Sequence, residues 1–145
     1  MLTDKTDPKQ SEAVVLELDL QHPPQKVWRA LTEPALLSEW LLPIVELKLQ
    51  PGAEFTFKAP PQPQWDGIVN GRMIDVEPYK KLSYRWVVGD IDTVVTFTLT
   101  PTAAGTRLSL VQSGFKPHQK QNFGGARYGL KMMGQRLIDL LARLQ

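Results

Sequence analysis

The chain contains no cysteine and only two histidines, His22 and His118, in 145 residues. Without cysteine there are no disulfides, no thiolate nucleophiles and no Cys-ligated zinc or iron–sulfur clusters. That composition fits a reducing cytoplasm, which is the location expected. The two histidines have no second ligand at helical or loop spacing, so neither a metal site nor a cofactor is expected. Charge of one sign is lacking too: 17 Lys and Arg stand against 15 Asp and Glu, a net charge of +2. Nucleic-acid binding favours a basic stripe, and these cations are scattered, so no nucleic-acid partner is expected. No apolar run is long enough to span a bilayer, and the first dozen residues lack the apolar centre of a signal peptide. Gly-x-Ser-x-Gly, P-loop and dinucleotide fingerprints are all missing.

What is present is alternation. Residues 1–12 are polar and charged and are expected to form a disordered tail, with 13–145 as one domain. Val14, Leu16, Leu18 and Leu20 then alternate with Val15, Glu17 and Asp19, the pattern of a strand with one buried face. Pro24 suits a first helical position, with Val27, Trp28, Ala30 and Leu31 at helical spacing after it. Thr32 is expected to cap a second short helix bearing Leu36, Leu37 and Trp40. Alternating runs follow at Val45–Leu49, Ala53–Lys58, Asp66–Glu77, where Gly71 is a candidate bulge, Leu82–Val88, Val95–Leu99 and around Leu108 and Leu110. Pro51-Gly52 and Gly89-Asp90 mark turns. From about Phe123 to Leu144 the period changes to that of a helix, with Phe123, Ala126, Leu130, Met133, Leu137, Leu140, Leu141 and Leu144 in one stripe.

The order is strand, two helices, six strands, long helix. An antiparallel sheet with one bare apolar face is most simply buried by that helix, which makes the fold α+β.

Pro23, Val27, Trp28, Ala30, Leu31, Thr32, Pro34, Leu37 and Trp40 fill the pattern Pro-x-x-x-Val-Trp-x-Ala-Leu-Thr-x-Pro-x-x-Leu-x-x-Trp. The pattern resembles the opening of START-like (SRPBCC) domains, in the branch related to the activator of heat-shock protein 90 ATPase. Gly67 and Val69, then Pro78, Leu82, Tyr84 and Trp86, the Thr-rich stretch from Thr93 to Leu99, and Leu110 with Ser113-Gly114-Phe115 continue it, so the likeness runs from Val14 to Leu144. The resemblance implies the helix-grip (START/Bet v-like) fold, a curved antiparallel sheet wrapped around the C-terminal helix. The family often carries Gly-Trp near the start of that helix, whereas here Leu130 follows Gly129, which implies a cavity of different shape.

No catalytic constellation stands out. Asp66, Asp75 and Glu77 suit a solvated strand end, Asp90 and Asp92 a hairpin tip, and Gly124-Gly125 either a flexible helix entry or an anion cradle. The informative residue is Gly134, about 40° around the helix from Leu130 at 3.6 residues per turn, inside the apolar stripe. Glycine there costs about 1 kcal/mol against alanine. Either the sheet approaches closely, or the missing side chain leaves room for a guest.

The second possibility defines a candidate wall of Phe55, Phe57, Met73, Tyr84, Trp86, Phe97, Phe123, Leu130, Met133, Gly134 and Leu137 around a hydrophobic small molecule, lipid-like or polycyclic aromatic. Core packing explains the same aromatics. Two alternatives stand beside the binding module. One is an enzyme resembling polyketide cyclases, with Tyr84 and Arg72 as the first suspects. The other is a chaperone-interacting module. Tyr128 and Met132, one turn apart on the far side of the last helix, offer a surface for a protein partner or a homodimer.

Overall fold

The computed structural model describes residues 1–144. Eight strands form one antiparallel sheet: β1 (Leu2–Asp4), β2 (Ala13–Leu20), β3 (Ile44–Val45), β4 (Glu54–Lys58), β5 (Ile68–Glu77), β6 (Lys81–Val88), β7 (Ile91–Pro101) and β8 (Thr106–Ser113). Two short helices, α1 (Pro24–Thr32) and α2 (Pro34–Trp40), separate β2 from β3, and α3 (Lys120–Arg143) ends the chain after a 3-10 turn at Pro117–Gln119. The strand order is β1-β2-β8-β7-β6-β5-β4-β3. The long strand β2 therefore crosses to pair with β8, and the rest is a meander. Strand, two helices, six strands and a long helix follow in the order that the hydrophobic periods gave.

The local chemistry accounts for the breaks. Pro34 disfavours helical geometry in the residue before it, and Glu33 accordingly sits at φ −89°, ψ 120°. Glu33 thus ends α1, its amide bonding to the Arg29 carbonyl, and begins α2. Thr32 is not the cap expected of it: its hydroxyl donates to the Trp28 carbonyl at 2.8 Å and belongs to α1. The strand expected over Val45–Leu49 is only Ile44–Val45, because Glu46 turns to φ 62° and leaves the extended region. The bulge in β5 falls between Met73 and Asp75 rather than at Gly71. Helix α3 begins a turn before Phe123, so Gly124 and Gly125 lie within it and not at its N-terminus.

One face of the sheet is the core. Val14, Leu16 and Leu18 of β2, Leu108 and Leu110 of β8, and Val95, Phe97 and Leu99 of β7 all point into it. Against them lie Leu130, Leu137, Leu140 and Leu141 of α3. Trp40 of α2 completes that layer, with its indole N–H donated to the Ala30 carbonyl at 2.8 Å and its ring edge-on to Phe97 at 6.2 Å.

The expected disordered tail is where sequence and structure part. Leu2–Asp4 pair with Leu16–Leu18 of β2. Composition made this segment look unable to bury itself, but the partners that order it are remote in sequence. The Asp4 carboxylate, 15% exposed, receives Arg127 Nε at 2.7 Å and Lys131 Nζ at 2.8 Å, and the Thr6 amide at 2.9 Å. Partial burial pushes the Asp4 pKa up, but the bonds from Lys131, Thr6 and Arg127 outweigh it and hold the group well below its ordinary 3.8.

A folded-state pKa below the unfolded one stabilises the fold at pH above the unfolded value, and that stabilisation is lost as pH falls through the folded value. Asp4→Asn should therefore lower unfolding free energy at pH 7 by about 1 kcal/mol. In urea titrations the gap between variant and wild type should stay constant above about pH 5 and shrink below the ordinary carboxylate range.

Candidate functional site

The interior of the sheet has two halves of different character. Over β2 and β8 it is aliphatic. Over β4 to β7 it is aromatic: Phe55 lies edge-on to Phe57 at 5.5 Å and to Tyr84 at 5.2 Å. Phe57 meets Trp86 at 5.1 Å, and Tyr84 meets Phe97 at 6.0 Å. Strand register assembles this cluster. Phe55 pairs with Gly71 and Gly71 with Trp86, while Met73 pairs with Tyr84. Gly71 is glycine because the Phe55 ring lies over it: a Cβ there would come within 2.3 Å of the ring.

The expected wall residues all reach the interior, and they divide. Phe55, Phe57, Met73, Tyr84, Trp86 and Phe97 form the aromatic half. Phe123 stands apart, edge-on to Phe115 at 5.6 Å. Leu130, half-buried Met133, Gly134 and Leu137 sit on α3, where Gly134 faces the β1–β2 side: a Cβ on it would meet Leu2 Cδ1 at 2.6 Å and Leu18 Cδ2 at 3.7 Å. Of the two readings of Gly134, close approach is the one realised, and the approaching atom comes from the segment taken for a tail. Phe57, Met73 and Leu137 are each only 1% exposed, so they are packed against neighbours on nearly every side.

Two polar features mark the aromatic half. Tyr84 is 3% exposed, and its hydroxyl makes no hydrogen bond to any described residue. Yet no fully enclosed side-chain nitrogen or oxygen is left unpaired among the described residues, so this oxygen reaches a water-sized opening. Burial pushes the Tyr84 pKa up, and the phenol stays protonated. The second feature is one that sequence reasoning missed. Gln112 of β8 is buried and donates to the Thr93 hydroxyl at 3.0 Å, which in turn donates to the Trp86 carbonyl at 2.8 Å. Its signal was available, since period 2 places Gln112 on the face of Leu108 and Leu110. Val95 pairs with both Gln112 and Tyr84, so the amide and the phenol lie in one cross-strand row.

Other candidates fall outside this interior. Arg72 points to the opposite face, bound to Glu54 at 2.9 Å. There it borders an open hollow of about 520 Å³ with Glu46, Thr56, Asn70 and Arg85. Asp75 pairs with Lys81 at 3.4 Å, Asp92 with Arg85 at 2.6 Å, and Asp66 accepts the Ile68 amide at 3.0 Å. His22 Nδ1 lies 3.2 Å from Lys26 Nζ, and partial burial together with that cation pushes the His22 pKa down. Among the described residues no group of His, Cys, Asp or Glu is arranged to hold a metal ion. No helix among them is long and apolar enough to cross a membrane.

An antiparallel sheet closed on one face by a C-terminal helix, with two short helices after its first long strand, defines the helix-grip class of START-like (SRPBCC) domains. More particularly, the chain belongs to the family of Activator of Hsp90 ATPase homolog 1-like proteins, whose model matches residues 21–142. Among solved structures it is similar to MLL2253 from Mesorhizobium loti, at 42% identity and TM-score 0.85, over 92% of this chain and 98% of that one. NE0264 from Nitrosomonas europaea is similar at 25% identity and TM-score 0.77, over 95% of this chain and 99% of that one. DynU16, a protein of the dynemicin biosynthetic locus, shares the fold at 21% identity and TM-score 0.79, over 91% of this chain and 48% of that one. No curated protein is similar enough to count as a relative.

Gly71→Ala should push the Phe55 ring into Phe57 and Tyr84. Overpacking of this kind should cost about 1–3 kcal/mol in chemical denaturation, with the near-ultraviolet circular dichroism of the aromatic cluster changed.

Proposed function

We propose that the chain binds a hydrophobic small molecule, lipid-like or polycyclic aromatic, between the aromatic cluster of β4 to β7 and α3. The observation that carries this reading is the Tyr84 hydroxyl: buried among rings, protonated, unpaired among the described residues and open to a water-sized space. A buried hydroxyl without a partner costs free energy, and a ligand oxygen or nitrogen supplies one. Gln112 and Thr93 add polar character along the same stretch of sheet. Apolar walls with a few placed polar groups are the usual make-up of small-molecule sites. In the free protein the rings touch one another, so the guest enters by rearranging the rings on the α3 side of the cluster, and ligand binding selects that opened state. Gly134 takes no part in this site.

Native mass spectrometry of freshly purified protein should show a retained small molecule, and titration of aromatic ligands should quench Trp86 fluorescence. Tyr84→Phe should weaken binding by roughly 2- to 12-fold, one hydrogen bond's worth. It should leave the free protein as stable as wild type or slightly more so, because the hydroxyl has no partner to lose. A protein that retains nothing and binds none of a panel of polycyclic aromatics and fatty acids would refute the reading.

The enzymatic alternative keeps Tyr84 but loses Arg72, which lies on the other face of the sheet. The chaperone-partner alternative draws on the family and on Tyr128 and Met132, which are 69% and 42% exposed. For that alternative, Tyr128→Ser with Met132→Ser should abolish co-purification with the chaperone. Absence of any complex with the wild-type chain at micromolar concentration counts against it.

A further inference from the structure

Strand β1 is held by side chains as much as by its ladder. Leu2 and Asp4 lie two apart and so project to one side of the strand, toward α3. Leu2 fills the notch at Gly134, and Asp4 takes Arg127 and Lys131. On α3 these three positions follow at spacings of four and three, a single helical face. Beyond Asp4, the Lys5 amide donates to the Val15 carbonyl at 2.8 Å, and the Thr6 hydroxyl accepts the Val15 amide at 3.0 Å. The acceptor therefore reads a pattern: an open ladder edge on β2, a notch for an apolar side chain, and two cations converging on one carboxylate two residues later.

Nothing in that recognition depends on which chain the strand comes from. We infer that the β2 edge and the Arg127–Lys131–Gly134 face of α3 form a strand-accepting groove, and that Leu2–Asp4 of a second copy fills it when the chain's own strand is released. Charge complementarity favours this occupant. An empty groove leaves two cations facing each other beside an unpaired sheet edge, and each copy carries the matching strand. Reciprocal exchange between two copies closes with two-fold symmetry. The connecting residues 5–12 keep the chain's own strand close, at an effective concentration on the order of millimolar. Exchange therefore shows at comparable protein concentration. This groove lies on the aliphatic half of the interior and is independent of the ligand site.

The absence of cysteine makes the groove open to disulfide trapping. A chain carrying both Leu2→Cys and Gly134→Cys, oxidised with glutathione disulfide, should cross-link within itself and remain a monomer. Nitrogen-15-labelled Leu2→Cys mixed with unlabelled Gly134→Cys at about 1 mM should give a mixed-isotope dimer joined between residues 2 and 134. The inference is overturned if the double variant cross-links and the mixture gives no such dimer, or if the double variant fails to cross-link. On the wild-type protein, the Lys5 amide should exchange with deuterium faster than the amides of β7 and β8. Exchange only at the rate of global unfolding would mean the strand is never released, and would overturn the inference independently of the cysteine variants.

Discussion

The contact between the apolar face of α3 and the inner face of the sheet at β1 and β2 is the constraint on which the rest of this structure depends. A sheet with one apolar face is stable only if that face is covered, and α3 is the one long amphipathic element available to cover it. Leu16, Leu18 and Leu108 are fully buried there, as is Leu141 on the helix. How closely helix and sheet approach is set at Gly134, where the side chain missing from α3 is replaced by Leu2 from β1. The N-terminal strand is thus a layer of the core, and Asp4 is its anchor.

With α3 packed chiefly on β1 and β2, the aromatic half of the sheet takes a different cover. Trp40 reaches Phe97 from α2, and Trp28 of α1 meets Tyr79 at 6.1 Å. The rings of β4 to β7 otherwise pack chiefly on one another. Aromatic rings that meet edge to face gain from their quadrupoles and leave adjustable space between them. A core divided in this way can hold its architecture through the aliphatic half while the aromatic half admits a guest. Tyr84 marks the point where the division matters chemically, since its oxygen is buried in the ring cluster without a partner among the described residues.

The outer face is organised by charge. Arg72 and Arg85 stand directly opposite each other across β5 and β6, a placement that repels unless each has its own counter-ion. Each does: Glu54 for the first and Asp92 for the second. Arg107 is similarly held by Asp19 and Glu17. These exposed pairs are worth about 0–1 kcal/mol apiece and set register more than stability. The ion pairs of Asp4 differ in kind, because they join the first strand to the last helix across a partly buried boundary.

The element order, the inward faces of β2, β4, β6, β7 and β8, and the stripe of α3 were legible in the sequence. Each follows from a period, 2 or 3.6, that shows in the residues of the element itself. The family was legible for the same reason, because its motif is a local string from Pro23 to Trp40. Gly134 was legible as an anomaly, and Gln112 could have been read from its register with Leu110. The contacts that join remote segments were not legible. The order in Leu2–Asp4 depends on Leu18, Arg127, Lys131 and Gly134, none of which is a sequence neighbour. A polar, charged segment carries no sign of partners so far along the chain. The same reason separates the expected wall into two halves: a face is a local property, but which part of that face the helix covers is decided only when the strand order and the helix are assembled together.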